Sequence, residues 1–340
     1  MLSTLLQESV DHLEDKFYQT PFKFSYSSLS KLLYSPAVFY QMYVLGHKED
    51  LTAAHLVEGS LIHYLLLENH DFDTKYIVSP ASLPTGQQKK LVDMVYYKAF
   101  PSLASDDTLK FDDFEHYILD VMVTINYFQA LKTDQARIDK VMTAENKNYW
   151  EFLKTKKGKI LIDEETRQYC QDAVDIIKLN PKIMILLGQN PVKGSSVEVF
   201  NEEYMEAVIS GKPFGLKGFV DNLHIDHDNK IIFINDFKTS GKGLSEFKNS
   251  VEYFAYWMQA VVYMIMVSQK YYHLLDAGYS VKFHFIVIDK YFNVYPFPVS
   301  ELTRNTWLER FKEVLVKAEY HYTNKRFELP YEFDTESVIL

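Results

Sequence analysis

The chain has 340 residues, of which 47% are hydrophobic and 15% aromatic, and this composition excludes a disordered polymer. Its formal net charge of −10 excludes a broadly basic surface, so any contact with nucleic acid must lie in a local patch. The single cysteine, Cys170, excludes an internal disulfide, a zinc site made of thiolates and an iron–sulfur cluster.

The N-terminal segment begins MLSTLLQESV and is amphipathic and acidic, which does not fit a secretory signal peptide. No apolar stretch in the sequence approaches the length that a membrane span needs. We therefore expect a soluble protein of a reducing cytoplasm, with no membrane partner.

Residues 1–70 are predicted to form the N-terminal core helices. Apolar residues recur at helical spacing from Ser27 to Leu45, with a break near Ser35-Pro36, and again from Ala53 to Glu68. Pro36 fits the first turn of a helix better than its interior, because its ring clashes with the preceding turn.

Residues 80–190 are predicted to form a helical insert and not a second sheet domain. The helical patterns in this region run from Gln87 to Phe100, from Asp112 to Leu131 and from Asp163 to Leu179. Asp163 is a good N-cap for the last of them, and Asn180-Pro181 is a good stop signal.

The hydrophobic pattern changes after Pro191, and residues 191–300 are predicted to form the sheet and the core of the site. Five short segments alternate or run apolar between turn residues, as strands do: SSVEVF, MEAVIS, LKGFVDNLHID, KIIFINDFKTS and VKFHFIVID. A helical segment from Val251 to Ala277 separates the last two, which indicates a crossover. Residues 301–340 follow as a helix and tail. We therefore predict a single α/β domain over residues 1–340, with a mixed central sheet flanked by helices and a helical insert.

The segment GLKGFVDNLHIDHDNKIIFINDFKTS carries the most informative polar residues. Asp236 and Lys238 lie two apart on a predicted strand and therefore point to the same face. A hairpin turn from Asp226 to Asn229 would bring Asp221 of the preceding strand alongside them. Two carboxylates on an apolar sheet repel each other, and a hard divalent cation such as Mg²⁺ offsets that repulsion. The alternative is an ordinary structural ion pair.

Two pairs of residues on predicted helices extend this pattern. Gln259 and Tyr263 lie one turn apart on the helix that follows the D-x-K strand, so both can lie over the same site. Gly59 and His63 lie one turn apart on an earlier helix. Glycine there would permit close approach of another backbone, and an imidazole is a ligand for a metal such as Mn²⁺. Core packing is the alternative explanation for each pair.

Taken in chain order, these residues resemble the motifs of the PD-(D/E)xK nuclease superfamily in its RecB-like branch. That branch carries G-x-x-x-H on a helix, a strand aspartate, D-x-K on a strand and Q-x-x-x-Y on a helix. The corresponding residues here are Gly59-x-x-x-His63, Asp221, Asp236-Phe237-Lys238 and Gln259-x-x-x-Tyr263. The stretches AAHLVEGSLIHYLLLE and GKILIDEETRQYCQDAVDIIKLNPKIMILLG resemble, more narrowly, phage and bacterial recombination exonucleases similar to exonuclease VIII (RecE).

The resemblance implies a restriction-endonuclease-like core and a role for each matching residue. One or two Mg²⁺ or Mn²⁺ ions would be held by His63, Asp221, Asp236, the backbone carbonyl of Phe237 and Glu198. Lys238 would be the catalytic base or an electrostatic stabiliser, and Gln259 and Tyr263 would complete the catalytic set with Asp221 and Asp236. Ser35 stands where some members carry an iron–sulfur cysteine, so no cluster is expected.

Two short segments are predicted to contact DNA. Residues at the start of the first helix would touch phosphates near a DNA end, or the serines would simply cap the helix: Ser27, Ser28 and Lys31. A basic run with Trp150 nearby would follow a DNA strand, or would be a solvated loop: Lys154, Lys156, Lys157 and Lys159.

The implied activity is hydrolysis of DNA phosphodiesters by in-line attack of water. No G-x-x-x-x-G-K-(S/T) motif occurs, so no nucleotide cofactor is expected. The resemblance favours an exonuclease that degrades linear duplex DNA from its ends for recombination, in a bacterial or phage-infected cell. It would act as a homo-oligomer and with a single-strand annealing protein. The alternatives are a structure-specific or single-strand endonuclease, a non-catalytic DNA-binding module of the same fold, and a helical enzyme unrelated to nucleic acid.

Overall fold

The computed structural model describes residues 12–47, 54–68, 72–80, 82–156, 158–189, 194–335 and 338. The chain divides into two compact units. The larger unit comprises Met1–Asn69 and Gln171–Leu340, and the smaller unit comprises His70–Cys170.

The larger unit begins with one short strand and a series of helices. Their bounds are β1 Lys23–Phe24, α1 Tyr26–Tyr34, α2 Pro36–Phe39, a π-helical turn Tyr40–Val44 and α3 Ala54–Leu67. Ser25 and Ser28 form a capping box at the start of α1. Pro36 is the first residue of α2, and the Ser35 side chain accepts a hydrogen bond from the Val38 N–H. The predicted break at Ser35-Pro36 is therefore confirmed.

The smaller unit is mostly helical and has an apolar core of its own. Its elements are α4 Phe72–Lys75, β2 Tyr76–Val78, α5 Gly86–Ser105, a 3-10 turn Phe111–Phe114, α6 Glu115–Thr124, α7 Asp134–Val141, α8 Ala144–Lys156 and β3 Ile160–Ile162. Strands β2 and β3 pair in parallel. The predicted helix from Asp112 to Leu131 is too long, because α6 ends at Thr124 and Asn126 has a left-handed φ of +53°.

Two further helices follow, α9 Glu164–Leu179 and α10 Pro181–Leu186. The Asp163 carboxylate accepts a hydrogen bond from the Thr166 N–H at 2.7 Å, as expected of an N-cap. Asn180 caps α10 in the same way, with Pro181 as the first helical residue. Both sequence signals therefore mark the element boundaries correctly.

The central sheet belongs to the larger unit. Its long strands are β4 Val197–Val208, β5 Gly215–Asp226, β6 Ile231–Ser240, β7 Ser280–Asp289 and β8 Val294–Val299. The prediction of separate strands for SSVEVF and MEAVIS is wrong, because both belong to β4. Between them Glu202 has a φ of +50°, which interrupts the alternation without ending the strand. The predicted turn after Asp226 is confirmed by the antiparallel pairing of β5 with β6.

The strand pairing is mixed and leaves one gap that matters for the site. Strand β5 pairs antiparallel with β4 and with β6, β6 pairs parallel with β7, and β7 pairs antiparallel with β8. The ladder between β5 and β6 ends at the pair Asn222 and Asn235. Beyond it the two strands diverge just where Asp221 and Asp236 lie, and we call this place the fork.

Helices cover the sheet and separate its parallel strands. They are α11 Phe247–Tyr253, α12 Tyr256–Lys270, α13 Tyr272–Asp276, α14 Glu301–Asn324 and α15 Tyr331–Thr335. The predicted single helix from Val251 to Ala277 is thus three helices, and Ala255 at the first break has a left-handed φ of +54°. Strand β8 was not predicted because it contains Pro296 and Pro298, which only an edge strand tolerates.

Helix α12 is the centre of the apolar core of the larger unit, with Met258, Val261 and Met266 fully buried. It packs against β4, β5 and β7. Among the described residues, no helix combines the length and the apolar character that a membrane crossing requires. The architecture is α/β, with a mixed central sheet flanked by helices, as predicted.

Candidate active site

The fork places two carboxylates and a lysine next to one another. Asp221 of β5 and Asp236 of β6 are 7% and 0% exposed. The Lys238 ammonium forms an ion pair with Asp236, two residues before it on the same face of β6. Because the strands have separated here, the Phe237 N–H donates to Asp221 Oδ2 at 2.8 Å instead of to a strand carbonyl. The backbone of one strand thus fixes the carboxylate of the other.

Burial and the neighbouring charges have opposing effects on the pKa values of Asp236 and Lys238. Burial raises the pKa of the Asp236 carboxyl, Lys238 opposes that rise, and the charge of Asp221 adds to it. Burial lowers the pKa of Lys238, but the two aspartates outweigh burial and the pKa is raised overall. The Lys238 ammonium also lies 4.9 Å from the centre of the Tyr256 ring, a cation–π contact.

His63 of α3 reaches the fork from the other side of Asp221. Its Nε2 lies 3.1 Å from Asp221 Oδ2. Burial lowers the pKa of His63, but Asp221 and Glu202 more than compensate, so the pKa is raised overall. One turn earlier, a Cβ added to Gly59 would lie only 3.1 Å from Thr239 Oγ1 of β6. The glycine therefore allows α3 to approach the strand closely.

Glu202 of β4 is a member of the site that the sequence did not reveal. Its Oε1 lies 3.0 Å from His63 Nδ1, so the imidazole lies between two carboxylates. The register of β4 and β5 pairs Asn201 with Asn222 and Glu203 with Val220, and Glu202 and Asp221 lie between these two pairs. The sequence feature that could have predicted this position is the turn at Gly211-Lys212, because a hairpin centred there pairs residue 202 with residue 221. Using it required treating SSVEVF and MEAVIS as one strand.

Gln259 and Tyr263 of α12 complete the inner wall of the site. The Gln259 side-chain amide donates to the Tyr263 hydroxyl at 2.9 Å, and that hydroxyl donates to Asp221 Oδ1 at 3.4 Å. Both side chains are buried, at 9% and 6% exposure. Burial raises the pKa of Tyr263 well above its usual range, so the hydroxyl remains a hydrogen-bond donor.

The donor set fits a divalent cation. Ligand atoms of His63, Glu202 and Asp221 all lie within 4.8 Å of one another. Within the described part of the chain, Asp236 Oδ1 is buried and accepts no hydrogen bond. A buried carboxylate oxygen without a partner is costly, and coordination of a cation removes that cost. Oxygen ligands with one imidazole suit Mn²⁺ or Mg²⁺ better than a thiophilic metal.

Glu198, predicted as a further ligand, is not brought to this cluster. It is an exposed residue of β4, and its Oε1 lies 2.9 Å from His227 Nε2. The acidic residue that β4 contributes next to His63 is Glu202, four positions further along the strand. The Phe237 carbonyl, also a predicted ligand, accepts a hydrogen bond from the Lys238 ammonium at 3.3 Å.

The residues predicted to contact phosphate near the start of α1 differ in their surroundings. Ser28 is 1% exposed, and its hydroxyl accepts from the Ser25 N–H at 2.8 Å and donates to the Ser25 carbonyl at 3.0 Å. Its side chain is therefore used in capping, which was the alternative explanation. Ser27 is exposed and Lys31 is half-buried on the same helix.

The basic run of the smaller unit is less available than its sequence suggests. Lys154 donates to the carbonyls of Asp107 and Leu109 at 3.0 and 3.1 Å, which ties it to the backbone. Trp150, the aromatic residue near this run, is fully buried. Lys156 is exposed and Lys159 half-buried, whereas Lys157 lies outside the described residues.

The family comparison agrees with this site. The model of the PD-(D/E)XK nuclease superfamily matches residues 23–324, which include all of the strands and helices that form the fork. The chain belongs to the PD-(D/E)XK nuclease superfamily. Nucleases of this superfamily generally use divalent metal ions, in agreement with the donor set described above.

A solved structure offers a more distant comparison. The chain is similar to a candidate exonuclease from Eubacterium rectale, with 13% sequence identity and a TM-score of 0.45. The similarity covers 94% of this chain and 90% of that one. At this distance it carries no argument about activity. No curated protein matches the chain.

Proposed function

We propose that the chain is a metal-dependent DNA exonuclease that hydrolyses phosphodiester bonds of linear duplex DNA from its ends. The observation that carries the proposal is the fork itself. It holds Asp221, Asp236 and Lys238 together, with a buried oxygen of Asp236 that lacks a hydrogen-bond partner among the described residues. A module that only binds DNA has no need for this costly arrangement.

His63, Glu202, Asp221 and Asp236 would hold one or two Mg²⁺ or Mn²⁺ ions. When bound, the cation supplies charge neutralisation at the scissile phosphate. The Lys238 ammonium lies beside the carboxylates, where it can orient the attacking water and stabilise negative charge on the phosphate. Tyr263 and Gln259 hold Asp221 in place from α12, and the Phe237 N–H holds it from β6.

The biological setting that we propose rests on the motif resemblance. The recombination exonucleases that the sequence resembles expose a single strand for an annealing protein, and we propose the same partner here. Because the sequence has no P-loop, the enzyme would act distributively, or it would need an oligomer or a partner to remain on its DNA. A bacterial or phage-infected cytoplasm is the setting in which this activity would serve recombination.

The test is cleavage of linear and covalently closed circular duplex DNA, with Mg²⁺, with Mn²⁺ and with chelator. The wild type is compared with Lys238→Ala and with Lys312→Ala. Lys312 is an exposed lysine of α14 whose ammonium pairs with Glu309, so its loss should leave cleavage unchanged.

The proposal predicts that linear DNA is degraded while circles survive, and that chelator or Lys238→Ala abolishes degradation. Nicking of circles would show that the enzyme is an endonuclease that uses the same residues. DNA binding without cleavage under any metal, by folded protein, would identify a binding module and contradict the catalytic assignment.

A further inference from the structure

Two aromatic side chains stand in solvent at the turn between α11 and α12. Tyr253 is 83% exposed and Phe254 is 48% exposed. Removing a large aromatic side chain from water usually lowers the free energy of the protein. An adjacent exposed pair is therefore an unusual feature of a surface. Their rings contact each other edge to face, with centres 4.8 Å apart.

These rings are connected to the fork. The Phe254 ring stacks on the Tyr256 ring, with centres 5.4 Å apart. The Tyr256 ring in turn lies 4.9 Å from the Lys238 ammonium. A continuous row of rings, Tyr253, Phe254 and Tyr256, therefore leads from the catalytic lysine outward to solvent. We call this row the aromatic platform.

The backbone beneath the platform is fixed. The Tyr26 hydroxyl of α1 donates a hydrogen bond to the Phe254 carbonyl. Ala255 has a φ of +54°, a left-handed conformation that strains a residue with a Cβ. The Ala255 carbonyl accepts a hydrogen bond from the Met258 N–H at 2.9 Å, at the start of α12. A strained turn held at both sides presents its side chains in one orientation, so little entropy is lost when a ligand binds.

We propose that Tyr253 and Phe254 stack on unpaired bases of the DNA strand whose phosphate lies at Lys238. The inference rests on the proposed function, since it concerns how that site takes its substrate. Aromatic faces bind bases without sequence preference. The phosphate backbone would lie at the inner end of the platform, where Tyr256 contacts the Lys238 ammonium. A protein docked on the same rings would stand beside Lys238, on the route that DNA must take, and nucleobases are therefore the occupant that fits.

The test measures binding of a labelled single-stranded oligonucleotide and of the same oligonucleotide with abasic residues. Binding is measured by fluorescence anisotropy with the full chain in chelator, and the KM of cleavage is then measured with Mg²⁺. The variants are Tyr253→Ala, Phe254→Ala and the conservative Phe254→Trp. Tyr272→Ala is the matched control, because Tyr272 is a 64% exposed tyrosine at the start of α13 and outside the platform.

The wild type should prefer the base-bearing strand, and each alanine variant should weaken that binding by roughly 10-fold, the size of one base–aromatic stack. Binding of the abasic strand should change little, Phe254→Trp should retain the preference, and Tyr272→Ala should match the wild type. The loss in cleavage should fall on KM and not on kcat.

Three results would overturn the inference and leave the proposed function in place. Equal losses on base-bearing and abasic strands would show that the rings support the turn or the backbone contacts and do not stack on bases. A change in molar mass by light scattering in the variants, with base preference intact, would show a contact between copies of the chain. If every variant binds and cuts DNA as the wild type does, the aromatic platform takes no part in substrate recognition. If the wild type neither binds nor cuts DNA, the proposed function fails first and the inference fails with it.

Discussion

The two faces of the sheet at the fork carry polar residues of opposite character. On one face, the Asn235 amide donates to Asn222 Oδ1 at 2.7 Å and to the Leu186 carbonyl at the end of α10 at 2.8 Å. One residue away on each strand, Asp221 and Asp236 point to the opposite face. We call the first the neutral face and the second the charged face.

The difference between the faces lies in what is left without a partner. Among the described residues, the buried atoms of the neutral face that lack a hydrogen-bond partner include Asn235 Oδ1, His224 Nε2 and His284 Nδ1, and these groups carry no charge at neutral pH. The charged face leaves an oxygen of the Asp236 carboxyl in that state. An unpartnered neutral group costs about 1–3 kcal/mol, and a charged one costs more. The neutral face therefore ties α10 to the sheet, and the charged face fits the cation site that we propose.

The largest effect is expected when the charge is removed from Asp236. Asp236→Asn should lower cleavage by roughly 10²–10³-fold, because the site loses a ligand and the partner of Lys238. The free energy of unfolding should change by less than about 1 kcal/mol, since the amide keeps the shape and Lys238 still faces Asp221. Cleavage rates and urea unfolding check both parts. A large loss of stability would assign Asp236 to the structure of the fold.

The reciprocal change places a charge on the neutral face. Asn235→Asp should lower the free energy of unfolding by about 3 kcal/mol, because a carboxylate would face the Leu186 carbonyl and the Asn222 side-chain oxygen without a donor. Urea unfolding at neutral pH measures this change. If Asn235→Asp and Asp236→Asn had the same effect on stability, the two faces would not differ as described.

Protonation should disturb the neutral face as well. His284 lies beside Asn235 in the sheet, and burial, with the charge of Lys282, lowers its pKa to about 4. The unfolded chain binds this proton below about 6.5 and the folded chain does not, so stability falls as the pH drops from about 6.5 toward 4. The slope from this group is up to about 1.4 kcal/mol per pH unit. In His284→Leu, the free energy of unfolding measured in urea should depend less steeply on pH between about 4 and 6.5. An unchanged slope would exclude His284 as the cause.

The smallest effect concerns the close approach of α3. Gly59→Ala should lower cleavage by roughly 10-fold, because the new Cβ meets Thr239 Oγ1 and displaces His63 from Asp221. Adding Thr239→Ala removes that atom, and the double variant should recover much of the lost activity. Rates of the single and double variants measure this coupling. Independent, additive losses would show that the contact does not position His63.

Much of this site follows from strand periodicity. Asp236 and Lys238 share a face because they lie two apart, and Asp221 joins them because the turn after Asp226 is tight. His63 and Tyr263 lie within hydrogen-bond distance of Asp221, and Gln259 donates to Tyr263, so the two helical motifs meet the strand aspartate. These inferences need only local sequence and the order of elements along the chain.

The parts that the sequence did not reveal depend on the register of distant residues. Glu202 joins the site only because β4 is one strand whose register with β5 is set by the turn at residues 211 and 212. The aromatic platform depends on the left-handed Ala255, which no propensity of alanine predicts. Trp150 lies near a basic run in the sequence, but tertiary packing of the smaller unit buries it.

The most direct test of the central claim compares two glutamates of the same strand by calorimetric titration with Mn²⁺. Glu202→Gln should weaken Mn²⁺ binding by roughly 10-fold or more, since the residue lies with His63 and Asp221 at the fork. Glu198→Gln should bind Mn²⁺ as the wild type does, because Glu198 faces His227 at the surface. The reverse result, with Glu198 required and Glu202 dispensable, would contradict the metal centre that we propose on the charged face.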